Sequence, residues 1–243
     1  MKNVSIKNLN KNQKKLRKRI IDISFSQRLS HLGSCLSSVD IIDAIYKIKK
    51  PKDIFILSNG HAGIAWYVVL EKYNFLAENE TKLLHIHPDR NIQNDIYVST
   101  GSLGQGLPIA VGMAIANRKR AIYCMISDGE CAEGSIWEAL RVASEKKVTN
   151  LKIIVNANGW GAYDKVNLSL LKKRIRSFGF TIHTVRGQDM NTIIKGITYL
   201  KSSNVTILFA HTNSDQFSFL KGQDAHYYVM TEDDYQLANK QLL

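Results

Sequence analysis

The sequence predicts an α/β protein: a doubly wound, mostly parallel sheet with helices on both faces. Short, nearly unbroken apolar runs recur at 53–57, 121–126, 151–155 and 205–210, as expected of strands buried on both sides. Between them lie segments of helical length and periodicity, so strands and helices alternate as βαβ units. The 243 residues, 44% hydrophobic and 22% charged, can bury one large core. We read residues 1–243 as a single domain with a basic N-terminal helix at about 9–27.

The elements follow in order. Residues 9–27 place Leu16, Ile20, Ile21 and Ile23 on one side of a helix whose outer face is charged. A second helix is predicted over 38–48, with Ser37 or Ser38 as its cap and Val39, Ile42, Ile45 and Tyr46 on one face. Lys50-Pro51-Lys52 ends it, strand 53–57 follows, and Ser58-Asn59-Gly60 is a turn. Residues 62–76 read as a buried helix, 77–95 as a polar loop, and 96–99 as strand-like. Thr100–Gly106 is glycine-rich and opens a helix of small residues over 109–117. Strand 121–126, helix 135–146, strand 151–155, helix 167–177, strand 181–185, helix 190–201, strand 205–210 and a helix over 231–241 complete the pattern.

Charge and composition narrow the function classes. There are 33 Lys and Arg against 21 Asp and Glu, a formal charge of +12. Lys11, Lys14, Lys15, Arg17, Lys18 and Arg19 concentrate on the first helix, with smaller clusters at 118–120 and 172–174. None has the aromatic interleaving of an RNA-binding sheet or the Cys/His spacing of a zinc finger. The excess reads as a solvated basic surface or a face for an acidic partner chain, not a nucleic-acid site. Three cysteines, Cys35, Cys124 and Cys131, cannot all pair, which fits a reducing compartment. No apolar stretch reaches the roughly 18 residues of a membrane span, so the expectation is a soluble, cytoplasmic chain.

Three constellations carry chemistry. Asp128-Gly129 follows one strand and Asn158 follows the next. In a parallel sheet, neighbouring strand ends bring these turns together where ligands bind. A carboxylate and an amide carbonyl are hard oxygen ligands suited to Mg²⁺ or Ca²⁺, with the remaining positions left to backbone carbonyls, water or phosphate. Asp-Gly and Asn-Gly are also common plain turns, so spacing alone leaves both readings open. Gly101, Gly104 and Gly106 enter a helix without Rossmann or P-loop spacing. Of seven histidines, His31, His61 and His87 flank predicted elements, and His85 and His226 are further loop candidates. Gathered at one end of a sheet, such residues suit proton transfer and hydrogen bonding to a polyhydroxylated ligand.

Taken together, the strings Ser30-His31-Leu32-Gly33, Phe55–Ala62 (FILSNGHA), His87-Pro88-Asp89, Ser99–Gly106 (STGSLGQG), Ser127–Glu130 through Glu133-Gly134, and Val155–Asn158 resemble the N-terminal, diphosphate-binding half of transketolase. The similarity runs from about residue 10 to 165 and thins towards the end. The resemblance implies the thiamine diphosphate-binding fold of the PP type and thiamine diphosphate as cofactor, held through Mg²⁺ (or Ca²⁺). Asp128 and Asn158 would ligate the metal by their side chains and Trp160 by its carbonyl. Gly129 and His61 would meet the diphosphate, Gly101, Ser102 and Leu103 would line the ring region, and Glu130, Glu133 and Asn158 would also belong to the cofactor-binding set. His31 and His87 would bind sugar hydroxyls and move protons. His226, counted with them as catalytic, would hydrogen-bond a diphosphate oxygen as His61 does, and Glu133 resembles an acidic residue of the subunit contact near the cofactor. The implied reaction transfers a two-carbon ketol unit from a ketose to an aldehyde, in sugar metabolism, with specialised sugar biosynthesis as one setting.

The chain also departs from the family. The cofactor-activating glutamate belongs to a pyrimidine-binding domain that would follow residue 243. The expectation is therefore one subunit of a split transketolase, inactive alone and assembled as α₂β₂ with a second subunit carrying that domain. Ser127 stands where the family has glycine, and Ser30-His31-Leu32 replaces Gly-His-Pro. The family's phosphate-gripping arginine ahead of His-Pro has no counterpart in 78–84, and Arg90 lies on the other side. The loop at 117–120 is short. Substrates are thus sugars or sugar phosphates, with a nucleotide-linked sugar left open. The alternatives are a subunit of a thiamine diphosphate-dependent 2-oxo acid decarboxylase or dehydrogenase, and a degenerate, non-catalytic partner.

Overall fold

In a computed structural model describing residues 6–202, 206–222 and 224–243, the chain opens with helices α1 (Lys11–Ser26) and α2 (Leu32–Ile48), then strand β1 (Ile54–Leu57) and helix α3 (Gly63–Lys72). A long connection leads to α4 (Gly106–Ala116). From there β2 (Ile122–Ser127), α5 (Gly134–Glu145), β3 (Leu151–Ala157), α6 (Leu168–Ser177), β4 (Thr181–Arg186), α7 (Met190–Ser202) and β5 (Thr206–His211) alternate strictly. The chain ends with the short α8 (Asp224–Tyr227) and α9 (Glu232–Leu242). The strands form one sheet in the order β1-β2-β3-β5-β4, parallel throughout.

Alternation along each strand divides the core into two layers. Phe55, Tyr123, Met125, Ile154 and Leu208 face the layer of α2, α3 and α7. Ile54, Ile56, Cys124, Ile126, Val155 and Phe209 face α4, α5 and α6. Burial on both faces is why these strands read as continuous apolar runs; each fully buried aliphatic contributes about 1.5–3 kcal/mol. Cys35, Cys124 and Cys131 are free thiols inside the core. Helix α1 packs outside α2 and α3. Its start is fixed by a capping box, Asn10 Oδ1 accepting from Gln13 N–H at 2.9 Å and Gln13 Oε1 accepting from Asn10 N–H at 3.2 Å. Its fully buried Arg17 pairs with Asp40 of α2 at 2.6 Å.

Three local expectations are corrected. Helix α2 starts at Leu32, not near 38, and its N-cap is His31 in the left-handed region at φ 63°. Ser37 and Ser38 are therefore not caps. They are buried mid-helix, where their hydroxyls accept from Asn156 Nδ2 at 3.1 and 3.0 Å. Residues 96–99 form no strand: Ile96 pairs only with Asn91, as an isolated bridge, because the sheet offers that run no neighbour. The strand expected over 151–155 runs on to Ala157, so Asn156 lies within β3 and the turn begins only at Asn158. Among the described residues, no helix is long and apolar enough to cross a membrane.

Candidate active site

The carboxyl ends of β1, β2 and β3 place three segments side by side: Ser58–Ala62, the β2–α5 turn and the 158–167 loop. Asp128 Oδ2 accepts the Gly159 N–H at 2.7 Å, and the Asp128 N–H donates to Asn156 O at 3.1 Å. The turn after β2 is thereby fastened to the turn after β3. Asn158 Oδ1 accepts from Trp160 N–H at 2.8 Å. A Cβ placed on Gly129 would stand 3.3 Å from the Trp160 carbonyl oxygen, so that carbonyl lies beside the Asp128 turn. Asp128 is buried, and burial pushes its carboxyl up to about 7 against the opposing N–H groups of Gly159 and Gly129.

The glycine-rich loop is held against this turn by Glu130. Its fully buried carboxylate accepts from Ser58 Oγ at 2.7 Å, Gly104 N–H at 2.9 Å and Ser127 N–H at 3.0 Å. One side chain thus ties together the ends of β1 and β2 and the loop before α4. Burial raises the pKa of this carboxyl, and the three donors oppose the rise. Gly104 sits at φ 79°, where a Cβ would lie 2.7 Å from Glu133 Cβ; only glycine fits that turn without strain.

Between these segments and α8 lies a cavity of about 160 Å³. Of the residues singled out in the sequence, His31, His61, His87, Gly101, Leu103, Gly129, Asn158, Trp160 and His226 line it. Asp128 and Glu133 instead face an adjoining hollow of about 390 Å³ that shares Leu103, Gly129, Gly161 and Ala162 with the first. Ser102 is exposed and Glu130 is spent on its three donors, and neither lines the cavity. His85 is exposed and lies apart, its carbonyl accepting from Tyr67 OH at 3.0 Å.

The histidines converge. Ring centroids are 5.3 Å apart for His31–His61, 6.4 Å for His31–His87 and 6.4 Å for His61–His226. Desolvation, then the neighbouring imidazoles, push His31 down to about 4 and His61 to about 3. Desolvation also lowers His226, with Asp215 opposing. At neutral pH His31, His61 and His226 are uncharged, able both to accept and to donate protons. Several buried polar atoms here have no partner among the described residues: His31 Nδ1, His226 Nε2 and both side-chain amide atoms of Asn59. Such orphans are costly unless a ligand meets them.

Sequence reasoning did not assign Ser34, Asn59, Asn156 and Tyr227, which also line the cavity. Ser34 stands three residues after His31, one helical turn away on the same face, and Asn59 lies two before His61. Tyr227 reaches the cavity through α8, its OH donating to Ala162 O at 2.9 Å; no local pattern announces that contact.

Comparison with known proteins fits this geometry. Residues 1–203 match a family model described as 1-deoxy-D-xylulose-5-phosphate synthase. An apulose-4-phosphate transketolase subunit of Actinobacillus succinogenes is 29% identical over 269 residues, spanning 99% of this chain and 98% of its own length. The corresponding subunit of Phocaeicola vulgatus is 30% identical over 268 residues, spanning 98% and 95%. Human transketolase is 34% identical over 208 residues, covering 73% of this chain but only 33% of the human protein. Among solved structures, transketolase from Campylobacter jejuni superposes with a TM-score of 0.83 at 26% identity, over 99% of this chain and 43% of that one. The likeness thus extends past residue 165 to the end of the chain. This chain spans about two-fifths of that solved transketolase and nearly all of the two apulose-4-phosphate transketolase subunits. It belongs to the thiamine diphosphate-dependent transketolase family, and in extent it corresponds to one subunit of a split transketolase.

Proposed function

We propose that this chain is the diphosphate-binding subunit of a two-component transketolase, a single PP-type domain over residues 1–243. With a partner bearing the pyrimidine-binding domain, it transfers a two-carbon ketol unit from a ketose to an aldehyde. The observation that carries this reading is the fastening of the Asp128 turn to the Asn158–Trp160 turn beside a cavity ringed by histidines, with His31 and His61 held neutral.

The residues fit thiamine diphosphate and a divalent cation. Unpartnered polar atoms of Asn59, His31 and His226 are buried around the cavity. The Asp128 carboxylate, Asn158 Oδ1 and the Trp160 carbonyl form a hard oxygen set suited to Mg²⁺ or Ca²⁺, completed by diphosphate oxygens. Among the described residues no group of three His, Cys, Asp or Glu side chains could hold a metal unaided, so the remaining positions fall to Asn158, backbone carbonyls, water and diphosphate oxygens. A cation here favours the ionised Asp128 and offsets its burial cost. The Gly129 main chain and His61 meet the diphosphate, and Gly101 and Leu103 border the rings.

When bound, the cofactor supplies an electron sink for breaking and forming a carbon–carbon bond beside a carbonyl. The chain's own contribution is to orient the sugar and handle protons. His31 and His87 hydrogen-bond substrate hydroxyls, His226 joins His61 in donating to a diphosphate oxygen, and neutral imidazoles pass protons to and from oxygens near pH 7. Glu130 keeps the loops in register, and Glu133 faces the partner. The assembly is α₂β₂, cytoplasmic, and acts on sugars or sugar phosphates.

Calorimetry on the reconstituted two-subunit complex tests cofactor binding: thiamine diphosphate binds only with Mg²⁺ or Ca²⁺ present. A donor screen then compares ketoses with pyruvate. Ketose cleavage with transfer to an aldehyde supports the proposal, and turnover of pyruvate alone overturns it. Sedimentation of the mixture reports the stoichiometry.

A further inference from the structure

His226 reaches the cavity with its Nε2 buried and unpartnered, while its Nδ1 lies 2.7 Å from the Ser34 hydroxyl. Both residues are almost wholly buried, at 7% and 1% exposure. The His226 backbone is anchored too, its carbonyl accepting from His31 N–H at 2.7 Å. A neutral imidazole carries one N–H, and the Ser34 contact decides which nitrogen holds it. If Nδ1 carried the hydrogen, Ser34 would accept it and its own hydroxyl hydrogen would be left without an acceptor, since Oγ has no other partner among the described residues. If Ser34 donates, that buried hydrogen is satisfied and Nε2 bears the N–H. The Nδ1–H form thus leaves two buried groups unmet, the Ser34 hydroxyl hydrogen and the Nε2 lone pair, whereas the Nε2–H form leaves only the Nε2–H, which a ligand oxygen can meet. One further unmet buried group costs about 1–3 kcal/mol, which favours the second tautomer.

We propose that Ser34 is a positioning residue that locks His226 in its Nε2–H tautomer, so that the cavity receives a fixed hydrogen-bond donor for an anionic or carbonyl oxygen of the ligand. This rests on the proposed function and deepens it: the site takes a ligand with an acceptor oxygen at this point, and Ser34 sets the polarity through the imidazole. His226 is neutral because desolvation outweighs Asp215, so one tautomer, not an imidazolium, is what Ser34 selects.

The test begins with long-range proton–nitrogen NMR on the 243-residue chain labelled at histidine nitrogen, with His226 assigned by its absence in His226→Gln. A pyrrole-type Nε2 and pyridine-type Nδ1 in the native chain support the proposal; the reverse pattern overturns it, whatever the reaction proves to be. Ser34→Ala should shift His226 towards a mixture of tautomers while leaving the melting temperature close to native. An unchanged pattern in that folded variant also overturns the proposal. In the reconstituted complex, Ser34→Ala should weaken thiamine diphosphate affinity about 3- to 10-fold, as expected for one hydrogen bond. Native affinity in this variant would show that the donor does not meet the ligand and would overturn that part of the proposal.

Discussion

Gly159 donates its backbone N–H to Asp128 Oδ2 at 2.7 Å, joining two turns 31 residues apart in the chain. Each turn alone is an ordinary loop tip. Fastened together, they set a buried carboxylate beside an amide oxygen and a main-chain carbonyl. The contact exists because β2 and β3 are adjacent and in register, Ser127 opposite Asn156.

Replacing Asp128 by alanine should abolish metal-dependent cofactor binding, lowering affinity by at least about 100-fold through loss of a charged oxygen ligand. Calorimetry with thiamine diphosphate and Mg²⁺ on the two-subunit complex measures it. Near-native affinity would show that the cation site lies elsewhere.

Glu130 should matter for stability before chemistry. Glu130→Ala strands the donors of Ser58, Gly104 and Ser127, a loss of about 3 kcal/mol or more. Glu130→Gln keeps the shape but turns an amide NH₂ on at least one of those donors, so its loss should be intermediate. Urea denaturation ranks the two, and equal stability of all three proteins would contradict the clasp.

Gly60→Ala should weaken cofactor binding without removing any ligand-facing group. A Cβ at this position would lie 2.6 Å from the Thr100 carbonyl carbon and 2.7 Å from Gly101 N. The first loop must then retreat from the second, costing about 1–3 kcal/mol by overpacking. Thermal melting and cofactor titration should fall together.

Acid should destabilise the chain through the cavity histidines. In the folded state His31 and His61 lie near 4 and 3, below the ordinary value of 6.5. Between those limits these two histidines bind more protons in the unfolded chain than in the folded one, so their contribution to stability is intact above about 6.5 and declines as pH falls towards 3. Buried Asp128, raised to about 7, acts with the opposite sign and offsets part of it. The summed effect is on the order of a few kcal/mol. Denaturation curves across that range should show the slope, and His61→Asn should flatten it; an unchanged slope would place the responsible groups elsewhere.

Arg17 and Asp40 form a fully buried pair, with Arg17 Nε also donating to Gln216 Oε1 at 2.7 Å. Arg17→Met should cost about 3–5 kcal/mol by leaving Asp40 unpaired, and adding Asp40→Leu should recover part of that loss. A double-mutant cycle by chemical denaturation checks the sign.

Local sequence was enough for the alternation of strands and helices, because a buried parallel strand must be apolar throughout and an amphipathic helix must repeat every 3.6 residues. It was also enough to pick out most cavity-lining residues, since the Gly129 and Asn158 turns, the glycine loop and His31, His61 and His87 each end or begin an element. Its failures share a cause. Ser37 and Ser38 look like caps, yet they lie mid-helix because Asn156, 118 residues beyond Ser38, supplies their hydrogen bonds. Glu130 looks like a ligand-facing acid, but three donors brought from separate segments absorb its charge. Strand order, with β5 placed between β3 and β4, and the meeting of Ser34 with His226 across 192 residues were settled only in three dimensions. Periodicity records which face of an element is buried; it carries no record of which distant group will satisfy a polar atom there.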